Sequence, residues 1–147
     1  MPQSLANILV HLVFSTKDRR PMIEDSVREQ VHAYMIGVLS NLKCPSICLN
    51  SVRDHIHVCL NLHRTVAIAK VVEELKTSSS KWMKQTEPLF QWQGGYGAFS
   101  IGQSQVSTVK KYIAGQERHH ARVSFQDEFR ELLKRYALEY DEKYVWD

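Results

Sequence analysis

From Asp54 to Leu62 the chain alternates. His55, His57, Cys59 and Asn61 occupy one set of positions, and Ile56, Val58, Leu60 and Leu62 occupy the other. Successive side chains of a β-strand point to opposite faces. The pattern therefore predicts a strand with one apolar face for a core and one face carrying two histidines. A fold that accepts such a strand needs a sheet with helices packed on its apolar side and the histidine side left open. Two neighbouring imidazoles make part of a metal site. Two ligands seldom hold a catalytic metal, so a third donor is expected from elsewhere in the chain.

The remaining segments supply that sheet. Ile8 to Phe14 is a short, nearly continuous apolar run interrupted by His11, as a central strand would be. Lys17–Pro21 is a charged turn. Val27, Val31, Tyr34, Met35, Val38, Leu39 and Leu42 recur at helical spacing, with Asp25 or Ser26 as the expected cap. Ile47 to Val52 reads as a strand, joined by the Arg53-Asp54 turn to the histidine strand as a hairpin. A second helix, with Thr65 as cap, carries Val66, Ala69, Val72, Leu75, Trp82 and Met83. The glycine-rich stretch after Trp92 leads into a strand from Tyr96 to Ile101 and does not have dinucleotide-binding spacing. A third helix runs from Thr108 to about His120, and Ser124 with Asp127 resembles a capping box for a fourth. The order β-α-β-β-α-β plus two helices is an α+β fold, the ferredoxin-like or RRM-like split βαβ plan with extra C-terminal helices.

The 147 residues are expected to form one domain, with a core over about 5–122 and an acidic helical tail over 123–147. The net charge of +3 is unevenly spread: from Gln126 on, seven acids and four bases leave −3. The basic body permits a nucleic-acid partner without demonstrating one. Three cysteines, Cys44, Cys48 and Cys59, argue against a disulfide framework. No apolar run is long enough to span a bilayer, and no signal peptide is visible at the N-terminus, so the expected location is cytoplasmic.

The third helix offers the missing chemistry. Tyr112 and Gln116 are four apart and share a helix face. Gln116 offers a carbonyl oxygen to a metal and Tyr112 a nucleophilic oxygen, while Lys110 and Lys111 favour an anionic substrate. His120, a further four residues on, is an alternative third ligand and a stronger ligand type. Other candidate phosphate contacts are Arg19, Arg20 and Lys76, each weighed against an ordinary charged turn or solvated face. Trp92, Tyr96 and Phe99 are candidates for base stacking or core packing, and His11 for a hydrogen-bonded core histidine.

Three stretches together resemble the single-tyrosine HUH transposases of small bacterial insertion sequences: His11–Pro21, Asp54–Val58 with its HUH motif, and Lys110–Gln116 with a Tyr-x-x-x-Gln helix. The resemblance covers roughly residues 5 to 122. It implies cleavage and rejoining of single-stranded DNA bearing end hairpins, by a homodimer without membrane partners. It implies that His55, His57 and Gln116 bind a divalent cation, Mg2+ or Mn2+, and that Tyr112 forms a 5′-phosphotyrosine, in cis or in trans. Imidazole ligands make Mn2+ at least as suitable as Mg2+. The alternatives are a domesticated or repeat-associated HUH nuclease and a non-catalytic module that binds single-stranded nucleic acid.

Overall fold

The computed structural model describes residues 2–147. Its elements are β1 (Leu9–Ser15), α1 (Asp25–Asn41), β2 (Ser46–Ser51), β3 (His55–Asn61), α2 (Ile68–Met83), β4 (Gly97–Ile101), α3 (Val106–Ala114), α4 (Gln116–His120) and α5 (Phe125–Arg135). The four strands pair antiparallel in the order β2-β3-β1-β4, the split βαβ arrangement. β1 is central, as its nearly continuous apolar run predicts, and all seven of its residues are buried.

The alternation of β3 divides the molecule. Ile56, Val58 and Leu60 lie beside Val10, Leu12 and Phe14 of β1 and pack against Val31, Met35 and Leu39 of α1 and Val71, Val72 and Leu75 of α2. This burial holds the two helices without conventional caps. α1 follows Glu24 and α2 follows Ala67, neither with a side-chain cap, so Asp25, Ser26 and Thr65 do not have the capping roles expected of them. Helical stability inside a protein comes mostly from the packed face, which explains why the caps are dispensable. α1 ends cleanly: Lys43 adopts a left-handed φ of 60°, and Cys44 N–H donates to Leu39 O at 3.0 Å. These are the bonds of a Schellman termination.

The opposite face is not open. α3 and α5 cover it, which corrects the expectation of an exposed histidine face. Ile113 of α3 packs on Leu9, Cys59 and Ile101. Phe125, Phe129, Leu132 and Leu133 of α5 pack on Val13 and Phe99. The reason is the apolar content of the face itself. Leu9, Val13, Phe99 and Ile101 alternate with the histidines across the strands and would be costly to leave in water. Ser124 caps α5 by accepting from Asp127 N–H at 3.2 Å, as its pattern predicts. The tail beyond α5 folds back, placing the Trp146 ring against Phe125 and Phe129, and Gly95 N–H donates to Asp147 O at 2.8 Å.

Candidate metal and nucleophile site

Between the two apolar patches of the covered face lies a polar cluster. β3 contributes His55 and His57, both fully buried. In register, Ser15 faces His55 and Val13 faces His57, so β1 fixes their height on the sheet. Each imidazole is oriented through its Nδ1. His55 Nδ1 lies 2.7 Å from Asp54 Oδ1, and His57 Nδ1 lies 2.8 Å from His11 Nε2. His11 is thus a hydrogen-bonded interior histidine, and its partner is a member of the site. Both Nε2 atoms point away from the sheet toward α4 and α5.

The predicted single helix from Thr108 to His120 is two helices. Gly115, with φ −88° and ψ 12°, separates α3 from α4. Asn50 Nδ2 donates to Ile113 O at 2.9 Å, satisfying a carbonyl exposed at the end of α3. The break still leaves Tyr112 and Gln116 beside the histidines. The Tyr112 ring lies edge-on to His57 of the same chain, 5.6 Å between centroids. Gln116 is fully buried, with Oε1 3.2 Å from His55 Nε2. α4 also brings His119 and His120 in, the His120 ring 4.2 Å from that of His55.

The residue at the centre went unrecognised in the sequence. Glu128 of α5, 4% exposed, is surrounded by the other groups. Its Oε1 lies 2.8 Å from His57 Nε2, 3.0 Å from His120 Nε2 and 3.4 Å from His55 Nε2. Its Oε2 accepts from the Tyr112 hydroxyl and from Gln116 Nε2, the latter at 3.2 Å, and lies 3.2 Å from His119 Nε2. The signal was there: Glu128 falls three after Phe125 and four before Leu132, an acid inside an apolar helical stripe.

Electrostatics follow from this crowding. Burial alone would raise the Glu128 carboxyl, but the close approach of His120, His55 and His57 outweighs it and holds the group well below the ordinary carboxylate range. Burial opposes charge on His55 too, yet Asp54 and Glu128 overcome it and raise its pKa to about 9. His57 is lowered to about 4, chiefly by burial, against the pull of Glu128. Burial, then the charge of Glu128, pushes the Tyr112 phenol up, so it is protonated near neutrality. A cleft of about 310 Å³ lined by Tyr112, His119, Glu128 and Arg135 reaches this cluster from outside.

Nitrogen and oxygen donors of His55, His57, His120 and Glu128 all lie within 4.8 Å of one another, a group that could hold a metal ion. Three imidazoles and a carboxylate form a donor set suited to a divalent transition ion.

Other predicted contacts fare differently. Lys110 and Lys111 are exposed beside Tyr112, and Arg20 is exposed with a 3.8 Å ion pair to Asp18. Arg19 stacks its guanidinium 5.8 Å from the Trp146 ring. Lys76 is not turned to solvent. It donates to Gln93 O at 2.8 Å and Gly95 O at 2.7 Å, and burial lowers its pKa to about 8, so it ties the glycine-rich loop to α2. Trp92 and Phe99 are core residues, and only Tyr96 of the three stacking candidates is exposed.

The sheet thus presents the histidine pair of β3 to Tyr112 on the helix that follows β4. The profile described as "Transposase IS200 like" matches residues 4–116, and the chain belongs to that family. Among curated proteins none matches the chain significantly in sequence. The fold is similar to a structure from Deinococcus radiodurans described as "a putative transposase", with TM-score 0.64 and 18% identity over 79% of this chain and 95% of that one. It is also similar to the REP-associated tyrosine transposase bound to a REP hairpin, with TM-score 0.61 and 15% identity over 84% of this chain and 76% of that one.

Proposed function

We propose that the chain cleaves and rejoins single-stranded DNA, with Tyr112 as nucleophile and His55, His57 and Gln116 holding a divalent cation, Mn2+ or Mg2+. The observation that carries this reading is the placement of the Tyr112 hydroxyl on the carboxylate that His57 also contacts, within one chain. The Tyr112 oxygen attacks phosphorus and forms a tyrosine–phosphate bond while the P–O3′ bond breaks. The released 3′-oxygen takes up a proton, and a 5′-phosphotyrosine remains. A free phenolate is disfavoured here, so the phenol passes its proton to Glu128, which accepts its hydrogen bond, as it attacks. A divalent cation held by His55, His57 and Gln116 would offset the charge that develops on the phosphate. A 3′-hydroxyl then attacks the phosphotyrosine and restores Tyr112, with no nucleotide cofactor consumed.

The DNA substrate on this reading carries a hairpin, as in the complex of the REP-associated relative. Arg20, Lys110 and Lys111, exposed around the site, would meet its phosphates. We take the 147 residues as one working domain that acts as a homodimer in the cytoplasm, each subunit using its own Tyr112.

The test is a labelled single strand with an end hairpin, incubated with protein and Mn2+. A covalent adduct is expected, and Tyr112→Phe is expected to abolish it. Mixing His57→Ala with Tyr112→Phe protein distinguishes the arrangements. Cis attack predicts no recovery of cleavage, whereas recovery would require a tyrosine acting on the other subunit's histidines.

A further inference from the structure

Glu128 has more suitors than lone pairs. A carboxylate accepts at about four positions. Six side chains converge on this one: His55, His57 and His120 on Oε1, and His119, Tyr112 and Gln116 on Oε2. His120 Nε2, on a side chain only 9% exposed, comes within 3.0 Å of Oε1 yet makes no hydrogen bond of acceptable angle. Buried nitrogens in that condition are rare and call for an explanation such as an ion.

The orientation of His55 points the same way. Its Nδ1 is committed to Asp54. Its Nε2 faces two oxygens at once, Gln116 Oε1 at 3.2 Å and Glu128 Oε1 at 3.4 Å. Two oxygen acceptors converging on one ring nitrogen gather around positive charge, and the point where they meet is a place for a cation. A carboxylate that also orients a ligating imidazole, as Asp54 does, is the usual outer partner of a metal-bound histidine.

Building on the proposed function, we propose that this metal centre includes two ligands beyond the histidine pair and Gln116: His120 of α4 and Glu128 of α5. The metal then joins the sheet, the tyrosine-bearing segment and the C-terminal helix at a single point. Three imidazole nitrogens with a carboxylate favour Mn2+, Co2+ or Zn2+ over Mg2+. Because α5 delivers one ligand, metal occupancy stabilises the docking of α5 on the histidine face.

The test needs no DNA. Metal-free protein is titrated with Mn2+, and free Mn2+ is followed by electron paramagnetic resonance. In parallel, visible absorption of the Co2+ form reports its donor set. Glu128→Gln, which keeps the side chain's shape, and His120→Ala are each expected to weaken Mn2+ binding at least about tenfold and to alter the Co2+ band. Hydrogen exchange of the unmutated protein is a second measurement that does not depend on any variant folding. Added Mn2+ is expected to slow exchange in α5 as well as in β3. Wild-type Mn2+ affinity in both variants, or slowing confined to β3, would overturn the assignment and leave Glu128 as a group that merely fills the site. His57→Ala separates the two readings. If it alone loses Mn2+, the proposed catalytic site stands and the added ligands fall; if it also binds normally, the metal site itself falls.

Discussion

The two faces of the sheet are covered by different kinds of layer. On one, α1 and α2 press an unbroken apolar surface onto Leu12, Phe14, Ile56 and Val58. On the other, α3 and α5 close over two smaller apolar patches separated by histidines, a glutamine and a buried glutamate. Apolar burial is non-directional and adds up over area, so the first layer is part of the fold itself. A buried polar cluster is worth much only while every partner is in place. The second layer is therefore the one whose attachment depends on what occupies the site.

The sharpest way to break this contrast is to truncate one buried side chain on each side. Phe14→Ala, fully buried under the helices, is expected to cost about 3–5 kcal/mol and to lower the urea midpoint of the whole protein. Leu132→Ala on α5, 5% exposed, is expected to cost about 2 kcal/mol, since the site borders solvent and can relax. Its effect should appear as faster hydrogen exchange in α5 and the tail, with α1 and α2 little changed. Equal loss of protection in all helices would mean that both layers belong to one cooperative unit.

A smaller, pH-dependent effect probes the helix side alone. His32 lies on α1 with a ring nitrogen 2.7 Å from Ser51 Oγ. Burial, then the charge of Arg28, lowers its pKa from 6.5 to about 4. The unfolded chain therefore binds more protons than the folded one between these values. Stability rises with pH from about 4 to 6.5 and is lost again on acidification through that window. His32→Gln is expected to make the slope shallower in urea titrations across that range. A slope unchanged by the substitution would show that His32 does not titrate as its surroundings require.

How much of this was legible in the sequence depended on range. The period-two alternation of β3 identified the histidine face, and the helical spacing of α1 and α2 identified what covers the other face, because both are local. The fate of the histidine face was not local. Its cover comes from α5, which begins 64 residues after Asn61, and nothing in a strand's own pattern reports a helix that distant. Gly115 was visible, but a glycine in a helical pattern does not say whether the helix ends there. Lys76 reads as a surface cation until the glycine-rich loop turns its carbonyls toward it. Glu128 was the most readable omission, since a carboxylate between Phe125 and Phe129 contradicts the stripe it sits in and points to a buried partner.

Gly97 gives the C-terminal helix a seat. Its missing side chain is where the Phe129 ring rests; a Cβ built there would lie 2.5 Å from that ring and 3.1 Å from Phe99. The sheet thus carries an imprint of α5 at a point whose nearest side chains are Phe129 and Phe99 rather than the histidines, Glu128 or Tyr112. A single methyl there acts as a wedge under one end of a lever: it loosens the helix mechanically while leaving every donor atom on the chain. Gly97→Ala is accordingly expected to raise hydrogen exchange in α5 while leaving β3 protected, and it separates how firmly the helix is held from what chemistry holds it.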